Sequence, residues 1–144
     1  MGDSRSALVI DNNPIRRVVV SSTLSRFGIK VSSVGTRMEA AHLYEGDHVF
    51  DLVVLRLGSG EGMKASAIAR LLRSGPSVKC PYIVGMSSTE VPGEKVLLSE
   101  VDAVHSWPFK GETNMRSDVD GILHKLDLRE FTGKPVPPAF VREV

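Results

Sequence analysis

The sequence predicts an α/β domain in which five parallel strands alternate with helices as a doubly wound sheet. Short, uninterrupted apolar runs recur along the chain, as in strands that are buried on both faces. Amphipathic segments with helix-capping residues separate these runs, which indicates βα repeats rather than hairpins. The length of 144 residues, with 42% hydrophobic and 24% charged residues, is typical of one globular domain.

The first βα unit is clearly marked. Residues 7–10 form an apolar run and therefore a strand. Asn13 is a favoured helix cap and Pro14 is favoured at the first helical position, so a helix begins here. This helix is expected to run to about Phe27, where Gly28 can end it.

The later elements follow the same alternation. Further strands are predicted at residues 30–34, 50–55, 82–86 and 102–106. Further helices are predicted at residues 38–44, 65–73, 94–100 and 114–126. The domain thus covers residues 7–126, and the flanking segments 1–6 and 127–144 are expected to be tails, the second containing prolines that cannot continue a helix.

Composition excludes several classes of function. Eighteen Lys and Arg residues against 17 Asp and Glu give a net charge of +1, too little to favour nucleic acid as a partner. Cys80 is the only cysteine, so no intramolecular disulfide can form, which fits a reducing, cytoplasmic location. The four histidines are scattered, and no apolar run is long enough to span a membrane. No cofactor is implied.

In open α/β sheets, sites lie beyond the carboxyl ends of the strands. The residues at these predicted ends are Asp11, Asn12, Arg56, Ser87, Trp107 and Pro108.

The order of four stretches resembles the receiver domains of response regulators, in the variant found in hybrid histidine kinases and plant two-component systems. These stretches are Val9 to Arg17 with Asn-Pro after an acidic position, Asp51 to Leu55, and the segments 81–87 and 102–108 around the last two strands. The resemblance covers residues 7–126. It implies a flavodoxin-like (βα)5 fold with strand order 2-1-3-4-5 and a cis peptide before Pro108.

The resemblance also implies phosphoryl transfer from a phosphohistidine to an aspartate at the end of strand 3. Position by position, however, most of the required residues are replaced. Asp11 keeps the first Mg²⁺-binding acid and Ser87 keeps the hydroxyl, but Asn12 replaces the second acid. Arg56 stands at the acceptor position and Trp107 at the lysine position.

Arg56 decides the expected chemistry. A guanidinium has no nucleophilic lone pair at neutral pH and does not lose its proton. A cation at this place also repels Mg²⁺, at about 4 kcal/mol for each like unit charge ~4 Å away in an effective dielectric of ~20. Asp51 opens strand 3 at the opposite end of the sheet, and Asp11 lacks the groups that would neutralise an incoming phosphoryl group. The sequence therefore predicts a pseudo-receiver without enzymatic activity.

Two arrangements of the altered pocket remain open. In one, Arg56 pairs with Asp11 and its planar head lies against the Trp107 ring. In the other, Arg56 extends into solvent and Trp107 only covers apolar surface.

The predicted function is a phosphorylation-incompetent interaction module of two-component signalling. The resemblance implies a histidine kinase or a histidine-containing phosphotransfer protein as partner, docked on the first helix, where Arg16, Arg17 and Val18 are the candidate contacts. A solvated helix face is the simpler interpretation of the charges. The alternative function is a small α/β domain that binds a nucleotide, flavin or phosphate ligand at the strand ends, supported only by the glycine-rich loop 58–62.

Overall fold

The computed structural model describes six segments of the chain, residues 5–45, 49–58, 63–74, 80–87, 100–107 and 112–132. Within them, five strands pair in parallel in the order β2-β1-β3-β4-β5. The strands are β1 (Ser6–Ile10), β2 (Lys30–Val34), β3 (Leu52–Arg56), β4 (Tyr82–Met86) and β5 (Ala103–His105). The predicted doubly wound sheet and its strand order are therefore confirmed.

The described helices cover both faces of this sheet. They are α1 (Pro14–Ser25), α2 (Arg37–Glu45), α3 (Ala65–Ser74) and α4 (Glu112–Thr132). Helices α1 and α4 share one apolar core with one face of the sheet, whereas α2 and α3 share the core of the other face. β1, β3 and β4 are buried on both sides, which explains their uninterrupted apolar runs.

The start of α1 is as predicted. The Asn13 side chain accepts a hydrogen bond from the Arg16 backbone N–H at 2.9 Å, and Pro14 occupies the first helical position. The helix ends at Ser25, two residues before the predicted end, and Gly28 adopts the left-handed φ of 82° that lets the chain turn into β2.

The C-terminal helix is longer than predicted. It begins at Glu112 and continues to Thr132, six residues past Leu126. The prediction stopped where the apolar stripe stops, but residues 127–132 contain neither Gly nor Pro, and the first such breakers are Gly133 and Pro135. The helix therefore continues to the residue before the first breaker instead of ending with the predicted apolar stripe.

Two other predictions lie outside the described segments. The helix expected at 94–100 falls there except for Glu100, which is buried beneath α3. The tail expected at 127–144 is helical to Thr132, and its remaining part, 133–144, is not described. No helix in the described part of the chain is long and apolar enough to cross a membrane.

Candidate site at the carboxyl edge of the sheet

The carboxyl ends of four strands bring the candidate residues into one row. The register pairs Arg56 with Met86 and Met86 with His105. Ile10, the last residue of β1, pairs with Leu55, so Asp11 lies at the level of Arg56. The sheet thus places Asp11, Arg56 and His105 along the same edge, as expected for a site at the topological switch point.

Asp11 is fully buried and held by Arg16. The Arg16 guanidinium donates Nε to Oδ2 at 2.6 Å and Nη2 to Oδ1 at 2.8 Å, a bidentate pair in which the aspartate side chain is 0% exposed and the arginine side chain 18%. The Asn13 backbone N–H also donates to Oδ1, at 2.9 Å. The predicted Arg56–Asp11 ion pair is therefore wrong: Arg16, on the first turn of α1, reaches back to the carboxylate and takes that place.

The second arginine of α1 supports the same loop. Arg17 Nη1 donates to the Asp11 carbonyl at 2.7 Å. Arg16 and Arg17 were candidate docking residues, yet both guanidiniums are bound to Asp11, which leaves Val18 as the exposed candidate of the three. Asn12 is exposed, in contrast to the buried carboxylate beside it.

Arg56 is half-buried at the end of β3. Its Nη1 donates to the Met86 carbonyl of the neighbouring strand at 3.3 Å. Burial lowers the pKa of the Arg56 guanidinium, the positive charge of Arg16 lowers it further, and the negative charge of Asp11 raises it. Because Arg56 is half-buried and bonded to the Met86 carbonyl, it does not extend freely into solvent, and neither predicted arrangement describes it.

Sequence reasoning missed Arg37, which holds the end of β3 from the opposite face. Its side chain is completely buried at the start of α2. Nη2 donates to the Arg56 carbonyl at 2.8 Å and Nη1 to the Met63 carbonyl at 2.7 Å. An arginine in the first turn of a short helix is normally exposed, so no signal in the sequence distinguished this one.

Trp107 belongs to a cluster that the sequence did not reveal. Its ring stacks on His105, with centroids 5.0 Å apart and planes 5° apart, rather than on Arg56. Its indole Nε1 donates to Asp118 Oδ2 of α4 at 2.9 Å, and His105 Nδ1 lies 3.3 Å from the same oxygen. The i, i+2 spacing of His105 and Trp107 at a strand end was the available signal, since such residues share a face.

Ser87 and Pro108 complete the predicted set. Ser87 directly follows β4 and is buried, and its backbone N–H donates to the His105 carbonyl at 2.9 Å. Pro108 and the cis peptide expected before it lie outside the described residues. Asp51 is at the opposite edge, where its carboxylate accepts the Ser6 backbone N–H at 2.9 Å, as the sequence indicated.

The residues of this edge do not fit the Mg²⁺ ion that the fold implies. Both oxygens of Asp11 are bound by Arg16, and Arg56 adds a positive charge beside them. Mg²⁺ requires hard oxygen ligands in near-octahedral geometry, and here Asn12 offers only a neutral amide. Across the residues that the structure describes, no three His, Cys, Asp or Glu side chains are grouped so that they could hold a metal.

The fold is that of the receiver domains of two-component signalling. Neither a protein-family model nor a curated protein matches the chain. Among solved structures, a response-regulator receiver domain from Methylobacillus flagellatus matches with a TM-score of 0.71 and 18% identity, over 86% of this chain and 99% of that one.

Two further receiver structures match over their whole length. The N-terminal domain of a three-domain response regulator from Carboxydothermus hydrogenoformans has a TM-score of 0.72 and 18% identity, over 90% of this chain and 100% of its own. The receiver domain of a sensor histidine kinase from Pseudomonas aeruginosa, with a magnesium ion in its active-site cleft, has a TM-score of 0.68 and 18% identity, over 92% and 100%. At this identity the likeness establishes the fold.

Proposed function

We propose that this chain is a pseudo-receiver: a domain with the receiver fold that accepts no phosphoryl group, is not an enzyme, and acts in the cytoplasm through protein contacts. The observation that carries the proposal is the pairing of Asp11 with Arg16 while Arg56 stands at the acceptor position. The receiver fold gives the context of two-component signalling.

Acyl-phosphate formation needs a carboxylate oxygen that can approach phosphorus. Arg56 offers no such oxygen, because a guanidinium is a donor only. Asp11 has both oxygens occupied by the bidentate Arg16 and lies fully buried. Attack by Asp11 would require this ion pair to open, and an unpaired buried charge is strongly unfavourable.

The direct test is incubation of the full chain with acetyl phosphate and Mg²⁺, followed by intact-mass spectrometry. We expect no added phosphoryl group, whereas a receiver with an intact acceptor aspartate, run in parallel, should gain one. A hydroxylamine-labile adduct on this chain would refute the assignment, and Asp11→Asn would then show whether Asp11 carries it.

The partner surface that we propose lies on the outer face of α1. Ile15, Val18 and Val19 are exposed there at the spacing that places them on one side of a helix. Because Arg16 and Arg17 are bound to Asp11, this surface offers apolar contacts rather than the cationic face expected from the sequence. We propose a histidine kinase or a histidine-containing phosphotransfer protein as the partner, in keeping with the fold.

Val18→Glu tests this surface. Val18 is 64% exposed, so the free domain should tolerate a charged side chain at this position. In an apolar contact with a partner, the same charge would be unfavourable. We expect at least about tenfold weaker binding to an isolated phosphotransfer domain in calorimetric titration, a common loss for a central apolar contact. Met38→Glu, at a 52% exposed apolar residue of α2, is the matched control and should bind unchanged. Equal binding by both variants would exclude α1 as the docking surface.

The alternative function, a site for a nucleotide, flavin or phosphate ligand at the strand ends, has no comparable support. Of its glycine-rich loop only Gly58 is described, with a left-handed φ of 74°, and residues 59–62 are not.

A further inference from the structure

The strand β2 ends the sheet, and among the residues that the structure describes it pairs with β1 alone. The Lys30 N–H donates to the residue before β1, and the Val34 carbonyl accepts from the residue after it. In a parallel ladder, alternate residues of a strand bond to opposite sides. Val31 and Ser33 therefore direct their backbone N–H and C=O groups away from β1, to what we call the open edge.

The open edge lacks the features that keep strands from pairing with other chains. Edge strands are normally protected by shortness, by prolines or by charges along the strand. At the other end of the sheet, β5 has three residues. The strand β2 has five, and its middle residues Val31, Ser32 and Ser33 include neither a charge nor a proline. Ser32 and Ser33 are exposed, and their small side chains let a second backbone come close.

We propose that β2 pairs with β2 of a second copy of this chain, which joins the two sheets into one. A twofold axis perpendicular to the sheet makes the paired strands antiparallel. With Ser32 on this axis, all five residues of both strands are paired, and Val31 lies opposite Ser33 of the second copy. In this register the outward N–H and C=O groups of both residues bond to each other.

The charges at the ends of β2 fit a second copy as the occupant. Lys30 is exposed and is the only charged residue of the strand. In the proposed register it lies opposite Val34 of the second copy, so the two lysines stand at opposite ends of the paired strands. At the Val34 end, Arg17 Nη1 and Glu39 Oε1 lie 3.3 and 3.6 Å from the position of a side chain at Gly35. Their charges balance, so Lys30 meets no excess of positive charge there.

This contact goes beyond the proposed function. It uses neither the acceptor position nor the outer face of α1, so either proposal can fail without the other. Sedimentation velocity of the full chain over about a hundredfold range of concentration tests it. We expect a reversible monomer–dimer equilibrium, because a pair of strand edges is a small interface and small interfaces are usually weak. A chain that stays monomeric over the whole range would overturn the proposal.

Two variants at one position test the backbone contact. Ser33→Pro removes an outward N–H at an edge position, where proline is tolerated, and should weaken the association at least about tenfold. Ser33→Ala keeps this N–H and is the matched control, which should associate like the parent chain. If Ser33→Pro associates as strongly as Ser33→Ala, the open edge is not the interface.

A disulfide tests the register and decides the matter if Ser33→Pro does not fold. The two Ser32 residues form a pair without hydrogen bonds, with Cα atoms about 4.5 Å apart, which a disulfide can span. In a Cys80→Ser background, Ser32→Cys should give a disulfide-linked dimer on mild oxidation. Ser33→Cys is the matched control, because these positions lie diagonally, about 7–8 Å apart, and should link far less. No linkage through Ser32→Cys, or equal linkage in both variants, would contradict the proposed pairing.

Discussion

Asp11 is the residue on which the site depends, and its partner is set by local geometry. The carboxylate is oriented by the Asn13 backbone N–H and then meets Arg16 within the first turn of α1. Arg56 comes from a neighbouring strand and faces the same region, but its guanidinium reaches the Met86 carbonyl. The short connection between β1 and α1 therefore decides which arginine binds the aspartate.

A double-mutant cycle tests whether Asp11 is paired with Arg16 or with Arg56. Asp11→Ala with Arg16→Ala should show a coupling of about 1–3 kcal/mol in the free energy of unfolding, as expected for contacting residues in one network. Asp11→Ala with Arg56→Ala should be additive within about 0.5 kcal/mol, since Asp11 is held by Arg16 and the Arg56 guanidinium donates to the Met86 carbonyl. Urea unfolding of the variants gives both values. A larger coupling energy between Asp11 and Arg56 than between Asp11 and Arg16 would support the Arg56–Asp11 ion pair instead.

At the scale of elements, β5 and α4 are joined through one carboxylate. Asp118 accepts the indole N–H of Trp107 and lies beside His105, whose ring covers the indole. Burial lowers the pKa of His105, the charge of Asp118 raises it, and Lys125 lowers it. Burial dominates, so the pKa of His105 lies below its ordinary value.

Trp107 is the only tryptophan and reports on this contact. A protonated imidazole quenches a stacked indole, so the fluorescence of the native chain should fall with a midpoint below 6.5, the ordinary histidine value. His105→Gln should remove this transition. A midpoint above 6.5 would mean that Asp118, and not burial, controls the histidine.

The lowered pKa of His105 also makes the free energy of unfolding depend on pH. Between pH 6.5 and the lower pKa of folded His105, the unfolded chain binds more protons, so the free energy of unfolding falls as the pH falls through this window. Denaturant titrations at pH 7.5 and at pH 5.5 should show a smaller loss for His105→Gln than for the parent chain. An equal loss would place the acid sensitivity elsewhere.

Also at the scale of elements, two ion pairs connect α3 to the residues that directly precede β5. Arg70 Nε donates to Glu100 Oε2 and Arg73 Nη2 to Asp102 Oδ2, each at 2.8 Å. The Arg70 side chain is largely exposed, whereas Arg73 and Asp102 are both mostly covered, so the second pair contributes more to stability. Asp102 also accepts the Ile83 backbone N–H at 2.6 Å, which ties the pair to β4.

On the scale of the whole molecule, α4 packs into the core that it shares with α1 along its length as far as Leu126. Leu128, the next apolar residue of the helix, is exposed. Beyond the core, Arg5 pairs with Asp127 across the amino edge of the sheet. Because Asp127 is largely exposed, this pair adds little stability.

Truncation locates the boundary of the folded unit. A chain ending at Thr132 should unfold like the full chain, since it keeps α4 intact. A chain ending at Leu126 should lose no more than about 1 kcal/mol, because it loses the exposed Leu128 and the Arg5–Asp127 pair but keeps the described core residues of α4. Thermal unfolding by circular dichroism compares the three chains. A collapse of stability on ending at Leu126 would show that residues 127–132 belong to the folded core.

The sequence alone determined the order of the elements and which residues stand at the ends of the strands. Apolar runs, the Asn13 cap and the glycine after α1 are local signals, and their alternation allows few topologies. That an arginine, Arg56, ends the third strand is likewise a matter of chemical identity.

Only the tertiary structure decided which partners the side chains at the carboxyl edge of the sheet contact. It assigned Arg16 to Asp11, buried Arg37 beneath the end of β3, and placed Trp107 on His105. Arginine and tryptophan side chains span several ångströms and can reach different partners from one backbone position. Which partner they reach depends on the packing of neighbouring strands and helices, which a pattern along the chain does not record.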